Sequence, residues 1–480
     1  MGSRSIPLSV RVGAITATSV KIRVVTKLSS TITATCSGGS VAVTQPTDRL
    51  TVISDFLGAG LVEITGLEAN KTYTYSIEQP GAGVQGSFRT IPDNQTTNYS
   101  FIVSTCEGKV GNYHNDVYTA LRNKKAELDA SGFPLAIHIN PDDISYVDSM
   151  DRADEGNYVS LGQPQVTGNT DDYALAWAAY YGVVHNTRKN FIEDDRLWWY
   201  RNVPFVGTGG DHAIAGNHCR GPVSGGFTCD RTTNGLEDTA KAEFDAFIGD
   251  GNYDPLRADE WYSGFEIGPI RFSMMDVELH CVPWNEVDTT QDMYGATQIS
   301  DVMTYLDVDT VPFKCFFHET GLSQAAQPWR EWHTTEADAW KTDFDSRNNL
   351  NGTNGNTWHV YGDNHTVHAI AFDTFWAFSC GVLRDSEIVG NGLPGVSFGW
   401  SGTFLDGYTN PETENGARVI EGFWVFKVHA DRTPQVIEAK YEWIAGGRRP
   451  FTRPMYLVDG ASNNQWVYEV SGLSESFRVA

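Results

Sequence analysis

The chain has 480 residues, 40% of them hydrophobic and 12% aromatic, enough for more than one packed core, with two domains the natural expectation. A formal net charge of -25 argues against nucleic acid or an anionic membrane as partner, because both require a basic face. No apolar run approaches the length of a bilayer span, and Met1-Gly2-Ser3-Arg4-Ser5 carries no apolar signal region.

Residues 6 to about 92 read as all-β. Val10-Arg11-Val12, Val20 to Val25 and Thr72 to Ile77 alternate with period two, and turn residues such as Ser37-Gly38-Gly39 and Pro80-Gly81 separate the runs. The stretch Ile64 to Tyr75 resembles the tyrosine-bearing corner of fibronectin type III-like sandwiches, where the ring packs and bonds the backbone. Phe88 to Pro92 closes this unit, and Asp93 to Thr97 is a polar linker.

From Tyr99 the pattern is mixed. Ser100 to Ser104 predicts a strand and Val117 to Ala130 a helix. A second strand runs into Asn140-Pro141-Asp142-Asp143-Ile144-Ser145-Tyr146-Val147-Asp148, which gathers acidic side chains and a phenol at a strand end. A helical, aromatic-rich stretch follows from Tyr173 to about Tyr200. Pro204 to Gly207, Ile270 to Val277, Phe313 to His318 and Trp358 to Tyr361 predict further strands, and the tail from Val419 is mostly β. Strands alternating with helices predict an α/β sandwich. The expected division is 1–95 and 96–480.

Four strand ends carry metal-ligand residue types. They are Thr105-Cys106-Glu107, Asp143 with Tyr146, Asp211-His212 followed by Asn217-His218, and Asp363-Asn364-His365 followed by His368. Each has an ordinary structural reading. A buried cysteine is usually a small hydrophobe, and a histidine such as His318 is more often a hydrogen-bonded core group. Jointly, four such strand ends are hard to obtain by chance. Seven cysteines leave at least one outside any internal disulfide, and Cys219 and Cys229 flank a Gly-rich loop that a local bridge would close.

These stretches, in this order, resemble the PhoD-like alkaline phosphatases and phosphodiesterases, metallophosphoesterases related to the purple acid phosphatases, with this chain a divergent member. The family's "S-C" is matched at Thr105-Cys106 and its "H-x-G-D-x-x-Y" at His138 to Tyr146. Its "P-x-x-x-T-W-D-D-H-E" resembles Pro204 to Ala213. Its "L-D-x-R" resembles Met275 to Glu278, its "L-G-x-x-Q" Tyr294 to Gln298, and its "S-G-D-x-H" Tyr361 to His365. Four positions depart from the pattern: Asp142 replaces a glycine, Gly210 an aspartate, Ala213 a glutamate and Glu278 an arginine. An alternative register uses Asn217-His218 as the wider group's "G-N-H".

The resemblance implies an N-terminal fibronectin type III-like β-sandwich followed by an α/β, calcineurin-like metallophosphoesterase sandwich. It implies two or more metal ions, Fe3+ with Ca2+, or else Zn2+ or Mn2+. The implied ligands are Cys106, Asp143 as the bridge, Tyr146, Asp211, Asp363 and His365, with His212 protonating the leaving oxygen or binding phosphate. His318, His368 and Asn217 are secondary candidates. Two cations side by side neutralise an anionic phosphoryl group and activate its nucleophile.

The expected activity is hydrolysis of phosphate mono- or diesters by an extracellular, periplasmic or particle-associated protein. The partner is a phosphate-ester substrate, and an oligomer or larger assembly is compatible with the sequence. The rival is a catalytically inactive relative retained as a structural or binding protein, such as a decoration component of an assembly. A third reading, a carbohydrate binder using the N-terminal unit and surface tryptophans, ranks below both.

Overall fold

The computed structural model describes residues 9–27, 30–47, 50–52, 55–106, 116–142, 144, 194–210, 221–223, 227–229, 236–277, 292–319, 333–351, 356–362, 367–380, 402–404, 421–445, 453–460, 466–468, 470 and 473. The chain begins with β1 (Ser9–Ile15), β2 (Ser19–Lys27), β3 (Thr33–Cys36), β4 (Ser40–Thr44), β5 (Leu50–Val52), β6 (Asp55–Thr65), β7 (Thr72–Gln79) and β8 (Ala82–Arg89). They form two antiparallel sheets, β1-β2-β6-β4 with β5 on β6, and β3-β7-β8. The period-two pattern has its physical counterpart in β7, where Tyr73, Tyr75 and Ile77 are buried and Thr72 and Thr74 exposed. Those residues share one apolar core with Val12, Ile22, Val62 and Ile64 of the other sheet. At the corner before β7, Tyr73 Oη accepts the Glu68 N–H at 2.8 Å.

The rest of the chain alternates strand and helix. β9 (Tyr99–Val103), α1 (Asp116–Ala130), β10 (Leu135–Asn140), α2 (Asp194–Asn202) and β11 (Phe205–Gly207) come first. The hairpin of β12 (Gly221–Val223) and β13 (Phe227–Cys229) follows, then α3 (Leu236–Phe247), β14 (Ser263–Ile267) and β15 (Ile270–Met274). Next are α4 (Ala296–Leu306), β16 (Phe313–His318), α5 (Thr334–Ser346), β17 (Asn356–Tyr361), β18 (His368–Phe372), β19 (Trp376–Ser379) and β20 (Gly402–Phe404). The tail contributes β21 (Glu421–His429), β22 (Val436–Ala445), β23 (Met455–Val458) and β24 (Trp466–Val467).

Two larger sheets result, β11-β10-β9-β21-β22-β23-β24 and β14-β15-β16-β17-β19-β18-β20. β9, β10 and β11 run parallel in the first, and β15, β16, β17 and β19 in the second. β9, β10, β16 and β17 are buried along their whole length, as strands covered on both faces must be. Phe101 of the first sheet stacks on Phe426 at 4.8 Å and meets Phe272 of the second edge-on at 5.2 Å. Each such buried ring contributes about 2–3 kcal/mol. Trp340 and Phe344 of α5 and Met303 and Leu306 of α4 pack with Phe316 and Ala377 of the second sheet.

β11 is an edge strand, and side chains occupy its outer polar groups. Asn252 accepts the Gly207 N–H at 3.3 Å and donates to the Gly207 carbonyl at 2.8 Å. The buried Arg11 of β1 donates to the Phe205 carbonyl at 3.1 Å and to the Ile248 carbonyl at 2.7 Å. Tyr75 Oη donates to the Arg201 carbonyl at 2.8 Å, and Arg23 Nη2 pairs with Asp250 at 2.9 Å. The N-terminal strands therefore brace the strand that delivers Thr208 to Gly210.

Candidate active site

Parallel strands place all their carboxyl ends on one side, which is where α/β sheets gather ligand-binding groups. The described chain runs on from β9 to Cys106, from β10 to Asp142, from β11 to Gly210, from β15 to Val277, from β16 to Glu319 and from β17 to Gly362. Hydrogen bonds tie these ends together. The Cys106 N–H donates to the Asp142 carbonyl at 3.1 Å, and its Sγ lies 3.5 Å from Asp142 Oδ2. Thr208 donates its N–H to the Asn140 carbonyl at 3.1 Å and its hydroxyl to the Pro141 carbonyl at 2.5 Å. Glu319 spans both sheets, its Oε1 accepting the Gly210 N–H at 3.2 Å and its Oε2 the Val277 N–H at 2.8 Å. A Cβ at Gly362 would fall 2.6 Å from Asp142 Cβ, so only a glycine admits this approach of β17 to β10.

Backbone conformation follows from these ties. Cys106 has φ 53°, in the left-handed region that costs a non-glycine residue about 1–3 kcal/mol. Gly210 has φ 69°, which glycine adopts at little cost.

The stretches that resembled a family in sequence are also neighbours in space. The Asp276 N–H donates to Gln298 Oε1 at 2.8 Å, and Gln298 Nε2 returns a bond to the Asp276 carbonyl at 2.8 Å. That pair joins the "L-D-x-R"-like and "L-G-x-x-Q"-like stretches. His138 opens a third stretch from within β10. Its Nδ1 accepts the Trp199 indole N–H at 3.0 Å, so its Nε2 carries the proton and donates to Ser104 Oγ at 2.7 Å. Burial holds this imidazole neutral, pushing its pKa from 6.5 down to about 3.

His318 is the last residue of β16 and is fully buried. Its Nε2 and His359 Nδ1 lie 2.7 Å apart, and its ring packs among Tyr294, Phe316 and Trp340 under the helices. Burial pushes its pKa down to about 3. This is the hydrogen-bonded core reading of that histidine.

Of the candidate ligands, Cys106 is fully buried at the β9 end beside Asp142. Asp143, Tyr146, Asp211, His212, Asn217, His218, Ala213, Glu278, Asp363 and His365 lie outside the described residues, as does the His368 side chain. Cys219 lies outside them too, while Cys229 stands opposite Gly221 in the β12–β13 ladder. Among the described residues no group of three or more His, Cys, Asp or Glu is placed to hold a metal ion. Sequence reasoning missed two carboxylates that are fully buried here, Asp142 and Glu319. Asp142 was legible as a departure from the glycine of the motif. Glu319 had a weaker signal, an acidic residue directly after the apolar run Phe313 to Phe317.

The implied metal fits the described part of this cluster. A thiol and a carboxylate, both suitable donors, stand 3.5 Å apart at one strand-end crossing. The buried Asn140 Nδ2 has no hydrogen-bond partner among the described residues, although Asn140 Oδ1 accepts the Asp142 N–H at 3.1 Å.

No protein-family model matches the chain, and no curated protein matches it either. Solved structures do. The structure of PhoD superimposes with a TM-score of 0.63 at 13% identity, over 99% of this chain and 94% of that one. A purple acid phosphatase isolated from yellow lupin (Lupinus luteus) seeds superimposes with a TM-score of 0.54 at 12% identity, over 91% of this chain and 72% of that one. The chain thus shares the α/β fold of these two proteins, and the sequence resemblance to the PhoD-like group is supported at the level of fold. No helix of the described residues is long and apolar enough to cross a membrane.

Proposed function

We propose that the protein hydrolyses phosphate mono- or diesters at a dinuclear metal centre on the carboxyl ends of its parallel strands. One observation carries this reading. Stretches resembling the motifs of a two-metal phosphoesterase, far apart in sequence, are hydrogen-bonded to one another at one end of the two sheets. The overall likeness to PhoD and to the lupin purple acid phosphatase supports it. The N-terminal strands fit a fibronectin type III-like sandwich that buttresses β11.

In this reading Cys106, Asp143, Tyr146, Asp211, Asp363 and His365 hold the metals, with iron and calcium the favoured pair. When bound, such a pair supplies positive charge to the phosphoryl oxygens and acidifies the attacking water. The protein's own part is positional. Thr208 and Glu319 fix the loops, and Gly362 lets two strand ends meet. His212 gives a proton to the leaving oxygen.

A second reading has a specific observation behind it. Gly210 stands where the family places an aspartate, and its backbone N–H is committed to Glu319. A glycine supplies no carboxylate, so the inactive structural relative remains the rival. Elemental analysis of purified protein together with hydrolysis of an aryl phosphate separates the two. The enzyme reading predicts bound metal and turnover, and the rival predicts neither.

A further inference from the structure

We propose that Asp142 is itself a metal ligand, sharing one cation with the Cys106 thiolate, and that Gly362 is the residue that makes room for it. The inference rests on the two-metal reading above. The motif resembled by this stretch has a glycine at the position of Asp142, so the carboxylate is a property of this chain. It is fully buried, its Oδ2 accepting the Cys106 thiol at 3.5 Å, and an ionised carboxylate out of water costs several kcal/mol unless opposite charge meets it.

The geometry suits a shared ion. A thiolate about 2.3 Å and a carboxylate oxygen about 2.1 Å from one cation stand about 3.1–3.6 Å apart, for bond angles between octahedral and tetrahedral. Cys106 Sγ and Asp142 Oδ2 are 3.5 Å apart. The same two residues are locked by their main chains, Cys106 N–H to the Asp142 carbonyl at 3.1 Å, with Cys106 held in the left-handed region at φ 53°. A Cβ at Gly362 would come within 2.2 Å of the same Asp142 Oδ2 and 2.7 Å of its carboxyl carbon, so a larger residue would displace the carboxylate. Asn140 Nδ2, buried on the amide that orients the Asp142 backbone, has no partner among the described residues.

Cobalt(II) titration of the metal-stripped full-length protein tests this. The readouts are the dissociation constant and the near-ultraviolet sulfur-to-cobalt band. Wild type is expected to bind and show the band, and Cys106→Ser to lose the band. Asp142→Asn is expected to keep the band while binding more than about a hundredfold more weakly, beyond what loss of an outer-sphere partner costs. Asp142→Gly, which removes the buried charge and restores the motif residue, should weaken binding similarly and serves if the asparagine variant does not fold. Wild-type affinity and spectrum in both Asp142 variants would overturn the inference and leave the two-metal reading standing. A wild type that binds no cobalt would overturn both.

Discussion

Glu319 Oε1 accepts the backbone N–H of Gly210 at 3.2 Å, joining the end of β16 in one sheet to the loop after β11 in the other. With its second oxygen on Val277, the carboxylate holds two loops at the mouth of the proposed site.

Removing it leaves two buried N–H groups without their acceptor. Charge-assisted bonds of this kind contribute about 1.5–3 kcal/mol each. Glu319→Ala should therefore lower the unfolding free energy by about 3–6 kcal/mol in urea denaturation, and Glu319→Gln by less. A loss within 0.5 kcal/mol for the alanine variant would mean the clamp is not structural.

The buried histidines predict acid lability. His138 and His318 have folded pKa values pushed from 6.5 to about 3 by burial, so both are neutral in the folded protein. Below pH 6.5 the unfolded chain takes up protons that the folded chain does not. Stability is thus fully present above that pH and is lost as pH falls toward about 3. Unfolding free energies measured between pH 7 and 4 should fall with pH, and His138→Gln should make the decline shallower. An unchanged slope in that variant would contradict the assignment.

Arg11 predicts how the N-terminal strands are coupled. Its guanidinium feeds two carbonyls from a buried position, and a lysine cannot reproduce that fork. Arg11→Lys should destabilise the chain by about 2–3 kcal/mol and expose the 93–97 linker to limited proteolysis. Wild-type resistance to protease would show that the strands dock by other means.

Two histidines compete for the role of proton donor. On the preferred register His212→Ala lowers turnover on the order of a hundredfold, with bound metal retained. A larger loss in His218→Ala, measured side by side, would select the alternative register.

Much of the fold was legible from local pattern. The expected strand Phe313 to His318 is β16, and the expected helix from Val117 to Ala130 is α1 within one residue. Thr72 to Ile77 alternates because β7 has one face in the core. The pairing of strands was not legible, since β9 lies between β10 and β21, whose sequence positions are far apart. The candidate site reads in the sequence as a set of strand ends, because ligand residue types follow apolar runs there, and of its proposed ligands Cys106 lies among the described residues. The buried carboxylates of Asp142 and Glu319 were not assigned roles. Their meaning depends on Gly362 and Gly210, which approach only after both sheets have formed. His318, a ligand type at a strand end, packs its ring against Trp340 of α5.

The central claim is tested most directly by hydrolysis of an aryl phosphate, as monoester and diester, by wild type and Asp143→Asn with metal content measured on the same samples. The account predicts wild-type turnover that disappears on metal removal and returns on reloading. It predicts a loss of several orders of magnitude in Asp143→Asn, because that change removes the charge assigned to bridge both metals. Absence of turnover by the wild type supplied with iron, calcium, zinc or manganese would contradict it and leave the structural rival as the better account.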